Sequence, residues 1–108
     1  MASRSSERES AHDTGVAREA EELKRAGWTV TADVPGWDDP EPIDGHVPDI
    51  VARKRSTLRI IEVETDAEDG RDRHAALREV AETRRETVFY AILVDSNGRR
   101  VQYTDTLE

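Results

Sequence analysis

Hydrophobic positions along this chain recur first at helical and then at strand spacing. Val16, Ala20, Leu23 and Ala26 fall near i, i+4, i+7 and predict a helix capped by Asp13 or Thr14 and stopped by Gly27. Glu19 interrupts that inward stripe, while Glu21, Glu22, Lys24 and Arg25 take the wet side. Residues 28–34 alternate and predict a strand. Residues 35–46, rich in Pro, Gly and Asp, predict a loop that carries Trp37. Two strands follow at residues 47–54 and 58–65, joined by a short polar tip. After a break at 66–70, residues 71–86 read as a helix with Leu77, Val80, Ala81 and Arg84 on one side and many arginines on the other. Residues 88–94 are the most apolar run and predict a central strand covered on both faces. Asp95, Ser96, Asn97 and Gly98 form a turn, and residues 99–104 a closing strand. The order α-β-β-β-α-β-β predicts an α/β fold, a mixed β-sheet with helices packed on it. Residues 1–12 are polar and aperiodic and read as a disordered tail, leaving residues 13–108 as a single α/β domain.

Three acids break the apolar pattern of the middle strands. Asp49, Glu62 and Glu64 stand where hydrophobes are expected, and Leu58 and Ile60 share the face of the two glutamates. A carboxylate in such a strand is costly unless something compensates it, and a divalent cation is one compensation. Register decides whether the acids meet. If Arg55 and Ser56 alone form the tip, Lys54 pairs with Thr57 and Asp49 lies across from Glu62 with Cβ atoms about 5 Å apart. Glu64 is then diagonal to Asp49. A four-residue loop keeps this pairing, whereas a three-residue loop sets Asp49 against Val63 and separates the acids. Carboxylates so close repel one another until a cation neutralises them. Mg2+ (or Mn2+) takes oxygen ligands, so Asp49, Glu62 and the carbonyl of Val63 would suffice, with Glu64 free to orient or deprotonate a water.

Composition narrows the chemistry further. With no cysteine, the 108 residues exclude disulfides and thiolate metal sites. No run reaches membrane-spanning length and the N-terminus lacks a signal-peptide core, so a soluble, cytoplasmic protein is expected. Acids outnumber bases 24 to 16, for a net charge of −8, and only two of the bases, Lys24 and Lys54, are lysines. That balance resembles the proteins of salt-loving archaea. In that setting the negative charge argues only weakly against DNA, while molar salt weakens phosphate binding that lacks a metal bridge.

Pro48-Asp49 followed by Glu62-Val63-Glu64 resembles the motif of the PD-(D/E)XK nuclease superfamily, which includes restriction endonucleases and archaeal Holliday-junction resolvases. The resemblance spans residues 14–94 and includes the opening helix, the Gly27-Trp28-Thr29-Val30 start of the first strand, and the helix and strand after the motif. It implies a restriction-endonuclease-like core and a Mg2+-dependent DNA endonuclease, with DNA as partner and often a homodimer. It implies Asp49, Glu62 and Val63 as the metal set, Glu64 as a catalytic residue, and Glu19 as the helical acid. Glu64 stands where the family has lysine, and an anion there adds repulsion toward phosphate.

Each residue also has a plainer reading. Asp49 after Pro48 suits a turn, Glu62 and Glu64 suit the wet face of a half-exposed strand, and Glu19 suits a helix boundary. His46 reads as a loop histidine, and His12 and His74 receive no role. Arg71, Arg73, Arg78, Arg84 and Arg85 could contact phosphates, but the interleaved acids favour a solvated helix face with i,i+4 partners. Trp28 is expected in the core, and Trp37 either caps the sheet or meets a partner. The alternatives to an endonuclease are a catalytically silent domain of the same fold, used as a nucleic-acid or protein-interaction module, and an acidic helper protein. The strand at 99–104 is a possible exposed edge for a dimer.

Overall fold

The computed structural model describes residues 6–66 and 70–104. The elements are α1 (Ser6–Arg25), β1 (Thr29–Ala32), β2 (Ile50–Lys54), β3 (Thr57–Glu64), α2 (Arg71–Thr83), β4 (Thr87–Val94) and β5 (Arg100–Thr104). This is an α/β fold with one five-stranded mixed sheet in the order β1-β2-β3-β4-β5. Neighbours run antiparallel except β3 and β4, which are parallel and need the crossover that α2 provides.

The hairpin has the register that a two-residue tip dictates. Lys54 pairs with Thr57 and Ile50 with Ile61, while Arg55 adopts a positive φ of 57° to close the turn. Alternation along β3 then divides its side chains between two cores. Ile61 and Val63 join Val16, Ala20 and Leu23 of α1, together with Ile50, Ala52, Tyr90 and Ile92. Leu58 and Ile60 join Leu77 and Ala81 of α2, with Ile43, Phe89 and Ala91. β4 supplies residues to both clusters, as expected of a strand covered on two faces. Trp37 packs against the α1 cluster, with the Lys24 ammonium 5.6 Å from its ring, and so caps the sheet. Trp28 is only half-buried on the same cluster, beneath the Arg59 guanidinium at 4.4 Å.

The first helix departs most from expectation. It begins at Ser6 rather than Asp13, so the part of the expected tail at residues 6–12 is helical, while residues 1–5 lie outside the described residues. Ala11 is buried, which supplies the tertiary contact that an aperiodic polar segment does not advertise. Gly15 sits inside this helix where it would ordinarily weaken it. A Cβ there would lie 2.9 Å from Val94 and 3.2 Å from Val63, so glycine lets α1 approach the sheet closely. The helix ends as predicted at Gly27, whose φ is 97°. There Trp28 N–H donates to the Leu23 carbonyl at 3.0 Å and Gly27 N–H to the Lys24 carbonyl at 3.0 Å, a Schellman closure. α2 stops at Thr83, three residues short of the expected end. No helix of the described residues is long and apolar enough to cross a membrane.

The Gly15 contact generates a stability test. Gly15→Val should destabilise the domain by about 2 kcal/mol through overpacking against two rigid valines. Urea unfolding measures this, and an unchanged midpoint would mean that α1 does not sit so close.

Candidate metal centre

The acids of β3 lie where the apolar cover of α2 gives out. Glu62 and Glu64 continue the face of Leu58 and Ile60, but the first turn of α2 sets Arg73 and His74 over them instead of hydrophobes. Asp49 immediately precedes β2, and the observed pairing carries it opposite Glu62. Asp49 is clasped to Glu62 and its neighbour Val63: Asp49 N–H donates to Glu62 Oε2 at 2.9 Å, and Val63 N–H donates to Asp49 Oδ2 at 2.8 Å. Glu62 is 1% exposed and Glu64 7%, so neither occupies the wet face of a half-exposed strand.

Cationic and imidazole groups complete the cluster. Arg73 Nε donates to Glu62 Oε1 at 2.6 Å, and its Nη2 donates to the Val47 carbonyl, tying the loop before Asp49 to α2. His74 Nε2 lies 2.8 Å from Glu64 Oε2, with the imidazole 5.7 Å from the Phe89 ring. From α1, His12 Nε2 reaches to 3.2 Å of Asp49 Oδ2, and its Nδ1 lies 3.0 Å from Asp13. His12, Asp33, His46, Val47, Asp49, Glu62 and Arg73 line one open cleft. A ligand entering it therefore meets acids, two imidazoles and a guanidinium together.

Burial, and next the negative charge of Asp49, push the Glu62 carboxyl up to about 7, against the lowering pull of Arg73. Burial disfavours the Arg73 cation, but Glu62, Asp49 and Glu64 outweigh it and hold the guanidinium more firmly charged than usual. Glu62, Glu64 and His74 each bring a potential ligand atom within 4.8 Å of the others, all three buried.

Of the residues expected to form the site, Asp49, Glu62 and Glu64 share one region, and Val63 contributes its amide while its side chain joins the α1 core. Glu19 is elsewhere. It is buried on the α1 face, where Arg100 Nη1 of β5 donates to its Oε1 at 2.8 Å, and it does not line the cleft. Desolvation raises its pKa, with Arg100 opposing.

Three residues given no site role by sequence belong to the cluster. Arg73 and His74 extend the Leu77–Ala81 stripe of α2 back by one turn, a signal visible in the spacing. His12 stands four and eight positions before Val16 and Ala20 on the α1 stripe, but extending that stripe required starting the helix seven residues earlier. Arg73 thereby leaves the solvated face to which the arginines of α2 were assigned. Comparison with protein-family models, curated proteins and solved structures found no match to this chain.

The raised Glu62 pKa predicts how metal-free stability depends on pH. Because the folded state binds this proton more tightly than the unfolded one, the stability it contributes is full below about 4.5 and is lost as pH rises to about 7. In a chelator, wild type should lose up to about 3 kcal/mol more than Glu62→Gln between pH 4.5 and pH 8. Denaturant melts at the two pH values check this, and parallel losses in both proteins would contradict it.

Proposed function

We propose that this chain is a metal-dependent DNA endonuclease with a restriction-endonuclease-like core, in which Asp49 and Glu62 hold Mg2+ or Mn2+. The observation that carries the reading is the double clasp of Asp49 with Glu62 and the Val63 amide across the hairpin, with Glu64 next along the same strand face as Glu62. The element order, the antiparallel β1-β2-β3 run and the parallel β3-β4 pair are compatible with such a core. The donor set fits a hard dication, because Glu62 is too buried to keep its charge comfortably beside Asp49. Bound there, such an ion would supply a Lewis acid for a phosphodiester and for an attacking water.

The remaining work falls to the chain's own residues. Glu64, hydrogen-bonded to His74, forms a carboxylate–imidazole pair able to accept a proton from water near β3. Arg73 faces the cleft with its side chain 36% exposed and offers a positive charge to a phosphate oxygen. In this way it takes on the charge-balancing part of the motif lysine that Glu64 replaces. DNA is the substrate class, and the β5 edge, where Val101 is exposed, is where a second copy would add.

A second reading has its own support. Arg73 already sits 2.6 Å from Glu62, so that carboxylate has a cationic partner before any metal ion arrives. On that basis the domain would be a catalytically silent nucleic-acid or protein-interaction module.

Supercoiled plasmid separates the readings. Wild type should nick it in Mn2+ or Mg2+, while Asp49→Asn should fall by at least about a hundredfold. Metal-dependent thermal stabilisation without nicking would select the silent module. No response in either assay would remove the metal from both readings.

A further inference from the structure

The metal set proposed above consists of oxygens, yet a nitrogen stands beside it. The His74 side chain is 3% exposed and aims Nε2 at Glu64, while its Nδ1 has no hydrogen-bond partner among the described residues. Burying an imidazole with half its hydrogen bonding unmet is costly, and an apolar residue on the same helical stripe as Leu77 would avoid it. Packing at Gly70 is a separate observation on the same atoms. A Cβ there would come within 2.7 Å of Glu64 Oε2 and 2.9 Å of His74 Nε2, and the residue holds φ at 75°. The backbone that opens α2 is thus laid directly over the two donor atoms, where glycine alone leaves them room.

Glu62, Glu64 and His74 together offer two carboxylate oxygens and one imidazole nitrogen, within 4.8 Å of one another. Around an ion with bonds of about 2.1 Å, donors stand roughly 3 to 4 Å apart, so closure needs about 1 Å of side-chain adjustment. Imidazole nitrogen suits Mn2+, Co2+ and Zn2+ far better than Mg2+, which prefers oxygen and retains its waters.

We infer that Glu62, Glu64 and His74 form a transition-metal site, with His74 the ligand that selects a first-row dication over Mg2+. The site draws Glu62, Glu64 and His74 from the proposed nuclease centre and so rests on that reading, but its occupancy does not depend on cleavage. Glu64 and His74 hold each other through one hydrogen bond in the metal-free protein, and the ion replaces that bond with two metal–ligand bonds while the shared proton leaves to solvent or passes to Nδ1 as the imidazole changes tautomer. Arg73 keeps its bond to Glu62 Oε1, where it offsets part of the negative charge of the set.

The test is calorimetric titration of the full chain with Zn2+ and with Mg2+. Wild type should take up one Zn2+, His74→Gln should bind it at least about tenfold more weakly, and Mg2+ affinity should change less than about threefold between them. Long-range 1H–15N spectra of the histidines in wild type give a readout that needs no variant. Zn2+ should shift the His74 ring nitrogens before those of His12 and His46. Glu64→Gln should reproduce the Zn2+ loss if His74→Gln does not fold. Equal Zn2+ affinity in wild type and variants, no saturable binding, or a first shift at His12 or His46 would overturn the assignment. Zn2+ binding as expected, in a protein that never nicks plasmid, would uphold this site and sink the nuclease alone.

Discussion

The constraint on which the rest of this structure turns is the burial of anionic side chains at the carboxyl end of β3. Beyond Arg59 the strand is apolar on both faces through Ile60 and Ile61, and each face is roofed by a helix. Continuing the same alternation places Glu62 and Glu64 under the second roof, where water cannot screen them. A lone ionised carboxylate in such a place is unaffordable, so Glu62 takes its hydrogen bonds from a donor and a cation, the Asp49 amide and the Arg73 guanidinium. Without Arg73, two carboxylates would face each other with only backbone N–H groups to offset them.

That requirement fixes the position of α2. A parallel β3-β4 pair needs a crossover, and the crossover must begin where β3 ends, above Glu64. Gly70 makes the turn at positive φ, and the first helical turn then delivers Arg73 and His74 onto the acids. One turn later the same stripe becomes Leu77 and then Ala81, and the interface reverts to ordinary core. On the α2 face, among the described residues, buried charge gathers at the carboxyl end of the parallel strands, the region of open α/β sheets where ligands characteristically bind.

Much of the scaffold was legible because its signals are local. Gly27 is a helix stop by its own conformational freedom, and the Arg55-Ser56 tip sets the pairing sum that brings Asp49 to Glu62. The strand alternation likewise told which face the glutamates occupy. What stayed hidden depends on tertiary contact. The first two turns of α1 carry almost no apolar period, and nothing in the spacing marks Gly15 as a contact until Val63 and Val94 are known to press against it. His12 could not be assigned while the helix was expected to begin only after it. Arg73 was misread for a different reason: an arginine among arginines on a charged helix looks solvated, and only the depth of Glu62 calls one of them inward.

Arg73 also links charge balance to the proposed chemistry. Its guanidinium is committed to Glu62 and the Val47 carbonyl, yet it stays partly exposed in the cleft. A phosphate arriving there would compete with Glu62 for the same cation. As Arg73 turns toward phosphate, Glu62 loses its partner and its demand for a metal ion rises. Substrate and metal would therefore assist each other's binding, by the reciprocity that any coupling between two sites obeys. In a chain of net charge −8, such coupling would give a nuclease its hold on DNA through one guanidinium and one bridging ion, without a broad basic surface.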